Sequence, residues 1–245
     1  MSDESLVPGV LNFRDTGGLP AAGGVTRPGV LFRSGNLAAV AEPGRSALDG
    51  LGIRRVVDLR ADDEVRRSPS LGTEAAETVR VPLFHGSVAS FFEQDMDLDA
   101  MYAEMIDASA ARVVDVVRAV IADQPVLVHC TVGKDRTGVT VALTLLAAGV
   151  DTEAVIADYA RTETLLPEER NREVVERIRA VHPEAVNIEE LATRSPAPVM
   201  RRLLERLGER YGSPIGFLKA HGLTDDEIVE FAGCWSRPPD AALPT

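Results

Sequence analysis

Cysteine and lysine are both scarce in this chain, which has two of each among its 245 residues. Cys130 and Cys234 are too few to form a disulfide framework in a chain of this length. Neither has a second Cys or His at the spacing of a metal site, and His129, as the neighbour of Cys130 on a strand, would point to the opposite face. We therefore expect no disulfide framework and no bound metal.

Long apolar runs and a targeting signal are also missing. No stretch reaches the roughly 20 apolar residues that a bilayer span needs, and the acidic start Met-Ser-Asp-Glu differs from a secretory signal. We expect no stable membrane insertion and a cytoplasmic location, with export without a recognisable signal left open. The formal net charge of -12 disfavours binding to nucleic acid, so no nucleic-acid partner is expected.

No internal repeat or long linker divides the sequence, and its hydrophobic content of 45% is enough for a sizeable core. Ile53–Leu59 is predicted to be a strand, and the short apolar run Val126–Val128 is typical of a buried parallel strand. Residues 151–231 have helical patterns, with capping residues at Asp151 and Thr224. Strands alternating with helices early and helices alone late predict an α/β fold, a mostly parallel sheet flanked by helices, with a helical addition.

Other segments give more local expectations. Residues 10–41, rich in Gly and Pro, suggest turns with one or two short strands. Val79–Leu83 is predicted to be an edge strand, because its proline cannot donate to a ladder. One helix is expected from about Asp99 and another over Ala111–Ala122. Gly138–Ala148 is apolar nearly all round, which predicts a buried helix.

The clearest chemistry lies in the segment His129-Cys130-Thr131-Val132-Gly133-Lys134-Asp135-Arg136-Thr137-Gly138. A strand leads into it and a helix leads out, so its amides converge at a helix N-terminus, which attracts anions. The same environment stabilises a thiolate at Cys130, the form of cysteine that acts as a nucleophile. Arg136 lies on the first helical turn, where its planar fork can take two phosphate oxygens. Gly133 allows a tight turn without a Cβ that would intrude on a ligand.

These features favour hydrolysis of a phosphate ester in two steps. The thiolate attacks phosphorus in line with the leaving alkoxide or phenoxide, while the loop amides and Arg136 hold the equatorial oxygens. Water then hydrolyses the cysteinyl phosphate and releases inorganic phosphate. In that step the hydroxyl of Thr137 could hydrogen-bond the departing sulfur. No step needs a metal ion or an organic cofactor.

Other interpretations of this segment fit less well. A buried structural cysteine would not need Gly133, Arg136 and Thr137 beside it. The nucleotide-binding pattern Gly-x-x-x-x-Gly-Lys-[Ser/Thr] fails, since Val128 replaces its first Gly and Asp135 replaces its Ser or Thr. A catalytically silent phosphate-binding module and a phosphatase restricted to small metabolites or lipids are the remaining alternatives.

The pattern Cys-x-x-Gly-x-x-Arg-Thr after a histidine resembles the signature of protein tyrosine phosphatases. Its fuller form, His-Cys-x-x-Gly-Lys-Asp-Arg-Thr-Gly, resembles the bacterial tyrosine/serine phosphatase family, whose members include phosphoinositide-active and secreted virulence phosphatases. Segments elsewhere fit the same family: Asn12–Asp15, Gly17–Gly18, Leu31–Ser34, Val57–Arg60, Tyr211–Ser213 and Gly216–Leu218. The resemblance runs from about residue 8 to about residue 231.

The resemblance implies a protein-tyrosine-phosphatase-like fold. We expect one phosphatase domain over residues 1–245, with its core at about 8–231. Segments at about 85–108 and 151–231 would form a helical addition or lid, and 236–245 a disordered tail.

The resemblance also implies roles for the loop residues. Cys130 would be the nucleophile and Arg136 the phosphate clamp, and the remaining loop residues would contact the substrate: Thr131, Val132, Gly133, Lys134 and Thr137. In this family the charge at Lys134 goes with tolerance of polyanionic lipid head groups. Asp135 would either protonate the leaving group or orient Arg136 and its neighbours. The implied substrates are phosphotyrosine, with phosphoserine, phosphothreonine and phosphoinositides as further candidates.

The general acid is where this sequence departs from the family. Related members have an Asp soon after the strand that matches Val81–Leu83, whereas this chain has Phe-His-Gly with His85 at the centre. His85 could serve, since histidine titrates in the useful range. Asp95, Asp97 and Asp99 are further candidates if their loop folds over the site. The alternative for all four is a solvated surface, so the acid stays unassigned.

Charged residues also flank the predicted strands, among them Arg14, Asp15, Asp58 and Arg60. Charges in such positions commonly pair with one another or cap loops. We assign them a structural role, with arginines lining the phosphate pocket as the alternative.

Overall fold

The computed structural model describes residues 6–70, 76–83 and 89–237. Within these ranges the strands are β1 (Arg14–Asp15), β2 (Pro20–Ala21), β3 (Gly24–Thr26), β4 (Leu31–Ser34), β5 (Arg55–Asp58), β6 (Glu77–Arg80), β7 (Val126–His129) and β8 (Ser236–Arg237). The helices are α1 (Gly44–Gly50), α2 (Asp62–Arg67), α3 (Ala89–Glu93), α4 (Leu98–Ala122), α5 (Asp135–Ala147), α6 (Thr152–Ala160), α7 (Thr162–Leu165), α8 (Glu168–Val181), α9 (Ile188–Thr193), α10 (Ala197–Tyr211), α11 (Pro214–Ala220) and α12 (Asp225–Trp235).

The central sheet has the strand order β1-β4-β7-β5-β6. Strands β4, β7, β5 and β6 run parallel, and β1 is an antiparallel strand at one edge. All four residues of β7 are buried, as expected for a central strand covered on both faces. The mostly parallel sheet flanked by helices is therefore confirmed, and the strand expected near Val79–Leu83 does lie at an edge, as β6.

A second, antiparallel sheet with the order β2-β3-β8 was not expected from the sequence. Its strands are two or three residues long, too short to show an alternating pattern. Residues 10–41 thus contain more strands than the one or two predicted. Ser236–Arg237, the first two residues of the predicted disordered tail, pair with β3; residues 238–245 lie outside the described part.

The core occupies both faces of the central sheet. Leu127 belongs to the smaller apolar cluster, whereas Val126 and Val128 belong to the larger one under α4 and α5. This alternation follows from the two-residue period of a strand. Helix α5 is buried along its whole length after Asp135, which confirms the buried helix expected from Gly138.

Helix α4 replaces the two helices expected from about Asp99 and over Ala111–Ala122. It is continuous in its hydrogen bonding but has a non-helical residue, Ser109, with φ -127° and ψ 19°. The Ser109 hydroxyl donates to the carbonyl of Leu83, at 2.9 Å. The break indicated by the sequence is therefore a kink.

The capping residues expected in the later helices are confirmed. Asp151 accepts hydrogen bonds from the amides of Glu153 and Ala154 at the start of α6. Thr224 and Glu227 form the reciprocal bonds of a capping box at the start of α12. Across the described residues, none of the helices is both long enough and apolar enough to cross a bilayer.

Candidate active site

The segment singled out in the sequence forms a tight loop between β7 and α5. Cys130 follows β7 directly and is buried, and the amide of Gly133 donates to its Sγ at 3.3 Å. Gly133 has φ +76°, and a Cβ at this position would lie 2.4 Å from the carbonyl atoms of Ser34. Both the backbone conformation and the lack of space therefore require glycine here.

Arg136 lies on the first turn of α5 and is bound by a carboxylate through two hydrogen bonds. Its Nη1 donates to Oε2 of Glu64 at 2.5 Å, and its Nη2 donates to Oε1 at 2.8 Å. Burial opposes the charge of Arg136, but the hydrogen bonds to Glu64 and the nearby Cys130 outweigh it and raise the pKa of Arg136 above its ordinary value. The guanidinium is therefore charged and fixed in orientation.

Glu64, on α2, is the site residue that the sequence analysis missed. Its carboxylate also accepts a hydrogen bond from the hydroxyl of Thr131. The backbone amide of Ala61 donates to the same carboxylate, with an N···O distance of 2.9 Å. Burial opposes ionisation, but the hydrogen bonds and charge of Arg136 lower the pKa of Glu64 to about 2. In the sequence, Glu64 is one of three acidic residues in the first turn of a short charged helix, with Asp62 and Asp63, so no local signal distinguishes it.

Lys134 and Asp135 belong to a network beside the loop. The ammonium of Lys134 donates to Oδ1 of Asp135 at 2.6 Å and to the carbonyl oxygen of Arg194 at 2.9 Å. The same Oδ1 accepts from the hydroxyl of Tyr102 at 2.9 Å, and that hydroxyl lies 2.8 Å from the hydroxyl of Tyr159. Burial and the Asp135 charge raise the pKa of Tyr102, so its phenol stays protonated as a donor. The ammonium of Lys134, a loop residue, is thus already hydrogen-bonded to two protein oxygen atoms.

Residues in and beside the first strands form hydrogen bonds with the backbone of the loop. The side-chain amide of Asn12 donates to the carbonyl of Gly133 at 2.8 Å, and Arg33 donates to the same carbonyl at 3.1 Å. Arg14 and Arg33 both pair with Asp158, at 2.8 and 2.6 Å. Burial opposes ionisation of Asp158, but the two arginines lower its pKa to about 2. The structural role predicted for Arg14 is therefore confirmed, although its partner lies on α6.

The other flanking charges pair locally. Arg60 binds Asp58 through two hydrogen bonds of 2.9 and 2.7 Å. Asp15 accepts from the amides of Gly17 and Gly29, at 2.8 and 2.6 Å, and so caps a loop. Arg60 also lines the cavity over the loop, so the two interpretations of this arginine both hold.

Two buried side chains next to Cys130 have unusual surroundings. The Oγ1 of Thr137, the candidate for a hydrogen bond to the departing sulfur, has no hydrogen-bond partner within the described residues, and its role stays a prediction. His129 has its Nδ1 3.1 Å from the carbonyl of Cys130 and its Nε2 3.9 Å from a carboxylate oxygen of Asp58. Burial lowers the pKa of His129, so the ring is neutral near pH 7.

A cavity of about 540 Å³ opens over the loop. The loop side chains Cys130, Thr131, Val132, Lys134, Asp135 and Arg136 form one part of its wall. Helix α2 contributes Glu64 and Arg67, α3 contributes Phe91 and Phe92, and one face of α8 contributes Arg170, Val174, Arg177, Ile178 and Val181. The cavity can therefore take a phosphate at the loop and an apolar group beside it. In the described ranges no group of three His, Cys, Asp or Glu side chains could hold a metal ion.

The candidates for the general acid differ in their position relative to the cavity. His85 lies outside the described residues. Asp97 caps α4, Asp99 pairs with Arg202 at 2.6 Å, and Asp95 accepts from the amide of Val186 at 2.7 Å. Of the carboxylates considered, Asp135 lines the cavity, and these three are absent from its described wall. Asp95, Asp97 and Asp99 are candidates only on the condition that their loop folds over the site, and the described wall of the cavity does not include them.

Comparison with known proteins decides the family. The model of a family described as the tyrosine phosphatase family matches residues 6–233. The chain belongs to the tyrosine phosphatase family. This phosphatase is 32% identical, over 273 aligned positions, to the triple specificity protein phosphatase PtpB of Mycobacterium tuberculosis, and the match covers 93% of this chain and 97% of that protein.

A tyrosine-protein phosphatase of Nostoc commune is 28% identical over 228 aligned positions, which cover 86% of this chain and 76% of the relative. The crystal structure of TpbA from P. aeruginosa matches with a TM-score of 0.37 and 21% identity, covering 74% of this chain and 89% of TpbA. The family establishes this phosphatase as a cysteine-dependent phosphoric monoester hydrolase that acts on phosphorylated substrates.

Proposed function

We propose that this phosphatase hydrolyses phosphate monoesters through a cysteinyl-phosphate intermediate on Cys130. The observation that carries the proposal is the arrangement of the loop: the Gly133 amide donates to the Cys130 sulfur, and Arg136 is held on the first turn of α5. An amide donor and a helix N-terminus both stabilise a thiolate. The Arg136 fork supplies the positive charge that a phosphoryl group needs.

In the first step the thiolate forms an S–P bond while the bond from phosphorus to the leaving oxygen breaks. The leaving oxygen keeps the electron pair and takes a proton from the general acid. The amides of Thr131, Val132 and Gly133, with Arg136, would hold the equatorial oxygens. In the second step water attacks phosphorus, the S–P bond breaks, and inorganic phosphate leaves. Thr137 is our candidate for hydrogen-bonding the sulfur in that step, since its buried hydroxyl has no partner among the described residues.

Asp135 is our first candidate for the acid, because its carboxylate lines the cavity. If Asp135 protonates the leaving group, Asp135→Asn should slow hydrolysis of an alkyl phosphate far more than that of p-nitrophenyl phosphate, whose leaving group needs little protonation. Steady-state kcat for both substrates checks this. Equal slowing would favour the alternative role, in which Asp135 orients Arg136 and neighbouring groups such as Lys134.

For substrates we propose phosphotyrosine, with phosphoserine, phosphothreonine and phosphoinositides as further candidates, and a cytoplasmic location. The substrate proposal is supported by the triple specificity of PtpB, a relative matched over 93% of this chain, and by the apolar part of the cavity. Phe91, Phe92 and Met101 line it and can pack against an aromatic ring. Lys134 would add positive charge at the loop.

The first experiment measures phosphate release from p-nitrophenyl phosphate with a chelator and no added metal. Wild type should be active, and Cys130→Ser should lose activity by several orders of magnitude, because serine is a far weaker nucleophile. Cys234→Ser, the same change at the other cysteine, serves as the control and should keep wild-type activity. Activity that persists in Cys130→Ser would contradict the proposal, and an inactive wild type would favour a phosphate-binding module.

A further inference from the structure

Two arginines of α8 face the cavity that contains Cys130. Arg170 and Arg177 are seven residues apart, which places them two turns apart on one face of the helix. Val174 and Ile178 lie on that face too and line the same cavity. The α8 wall therefore presents two cations beside apolar side chains.

The charges of this wall differ from those elsewhere in the cavity. Every other cationic side chain that lines it has a carboxylate partner: Arg60 with Asp58, Arg67 with Asp63, Lys134 with Asp135, and Arg136 with Glu64. Within residues 6–70, 76–83 and 89–237, neither Arg170 nor Arg177 pairs with a carboxylate. Nη1 of Arg170 donates only to the side-chain oxygen of Asn171, at 2.9 Å.

The absence of a counter-charge has a cost. Burial lowers the pKa of Arg170, and the positive charge of Arg177 acts in the same direction. A partly buried cation that is repelled by a neighbouring cation is less stable than it would be in water. An anion bound between the two guanidinium groups would remove this cost and gain charge-assisted hydrogen bonds.

We propose that Arg170 and Arg177 form a subsite for a second anionic group carried by the same substrate molecule as the scissile phosphate. The inference rests on the proposed function, with one phosphoryl group at the Cys130 loop. The apolar side chains of α8 and α3 would hold the ring or hydrocarbon between the two anionic groups. Substrates with two anionic groups on a rigid apolar frame would therefore be preferred over otherwise identical substrates with one.

The test compares biphenyl 4-phosphate with biphenyl 4,4′-bisphosphate, which share a frame and differ in one phosphoryl group. We expect kcat/KM per scissile group to be about 10-fold higher for the bisphosphate, the value of one good charge-assisted contact. In Arg170→Gln/Arg177→Gln this ratio should fall toward one. 4′-Carboxybiphenyl 4-phosphate, as a third substrate, shows whether a carboxylate can take the second position.

The matched control is Arg172→Gln/Arg179→Gln. These arginines have the same seven-residue spacing on the same helix but line a groove on another side of α8, so the variant removes the same charge without touching the cavity. The control should keep the wild-type ratio. The proposed subsite would be overturned by any of three results for the bisphosphate-to-monophosphate ratio of kcat/KM. These are a ratio near one in wild type, an unchanged ratio in Arg170→Gln/Arg177→Gln, and an equal fall of the ratio in the control.

A binding measurement separates this inference from the proposed mechanism. Calorimetry on Cys130→Ser compares the Kd of the same two biphenyl compounds without turnover. Tighter binding of the bisphosphate by about 10-fold, lost when Arg170→Gln and Arg177→Gln are added, supports the subsite even if wild type proves inactive. Equal Kd values for the two compounds would overturn it even if the cysteinyl mechanism holds.

Discussion

The guanidinium of Arg136 is oriented by two hydrogen bonds to Glu64. A guanidinium has five N–H donors, more than one carboxylate can use, so pairing with Glu64 is compatible with binding a phosphoryl group. The carboxylate lies on α2, outside the loop, and links the first turn of that helix to Arg136 and Thr131. At the scale of single residues, the proposed mechanism therefore relies on Glu64 to orient the charge that would stabilise the transferring phosphoryl group.

Glu64→Gln should reduce kcat/KM for p-nitrophenyl phosphate by about 10- to 100-fold, because a misoriented Arg136 stabilises the transition state less well. The folded pKa of Glu64, about 2, lies below its ordinary 4.5. The stabilising contribution of Glu64 is therefore complete above about pH 4.5 and is lost as the pH falls through about 2. Wild type should keep the pair at every pH used for assays.

The control for this prediction is Glu77→Gln, which removes a more exposed carboxylate that pairs with Arg55. It should leave kcat/KM unchanged. If Glu64→Gln hydrolyses p-nitrophenyl phosphate as fast as the control, Glu64 does not position Arg136.

At the scale of elements, the loop depends on an ion cluster built from three of them. Asp158 of α6 pairs with Arg14 of β1 and Arg33 of β4, and Arg33 and Asn12 both donate to the carbonyl of Gly133. All these side chains are buried. The backbone conformation of the loop is therefore coupled to the docking of α6 against the sheet.

Asp158→Asn should lower the free energy of unfolding by about 3–5 kcal/mol, because it leaves two buried arginines without a counter-charge. Since the folded pKa of Asp158, about 2, is below its ordinary 3.8, its contribution is present above about pH 4 and is lost as the pH falls toward 2. Urea unfolding at pH 7 and pH 3 measures both effects. Between these two pH values, the variant should lose less free energy of unfolding than wild type does.

Asp107→Asn is the control, because Asp107 pairs with two arginines of α10 but its side chain is 43% exposed. Its effect should stay within about 1 kcal/mol. A loss in Asp158→Asn no larger than that of the control would show that the buried cluster adds no stability.

The unit of β7, loop and α5 could be predicted from the sequence, because each part has its own local signal. Val126–Val128 is a short apolar run, Gly133 marks the tight turn, and Gly138–Ala148 is apolar on every side. Glu64 could not be found in this way, since its partner Arg136 is 72 residues away and nothing in a short charged helix indicates burial. Long-range pairing of this kind is decided by the packing of α2 on the loop.

At the scale of the whole molecule, the order of strands and helices indicated an α/β fold with a helical addition. The sequence also gives α8 its apolar positions, such as Val174 and Ile178. The surface against which these apolar side chains pack could not be predicted, because an amphipathic helix can pack on any apolar surface of matching shape. The structure places this face against the cavity, so its arginines acquire the role argued above only through the tertiary fold.

The loop around Cys130 is tied to residues on both sides of it in the chain. Asn12 and Arg33 precede Gly133 by 121 and 100 residues, and Asp158, which fixes Arg33, follows it. During synthesis, Cys130 therefore leaves the ribosome before the carboxylate that completes its support. Asp158 must be made, and α6 must dock against the sheet, before this support of the loop is complete. A chain that ends before Asp158 would lack the tie between α6 and the loop.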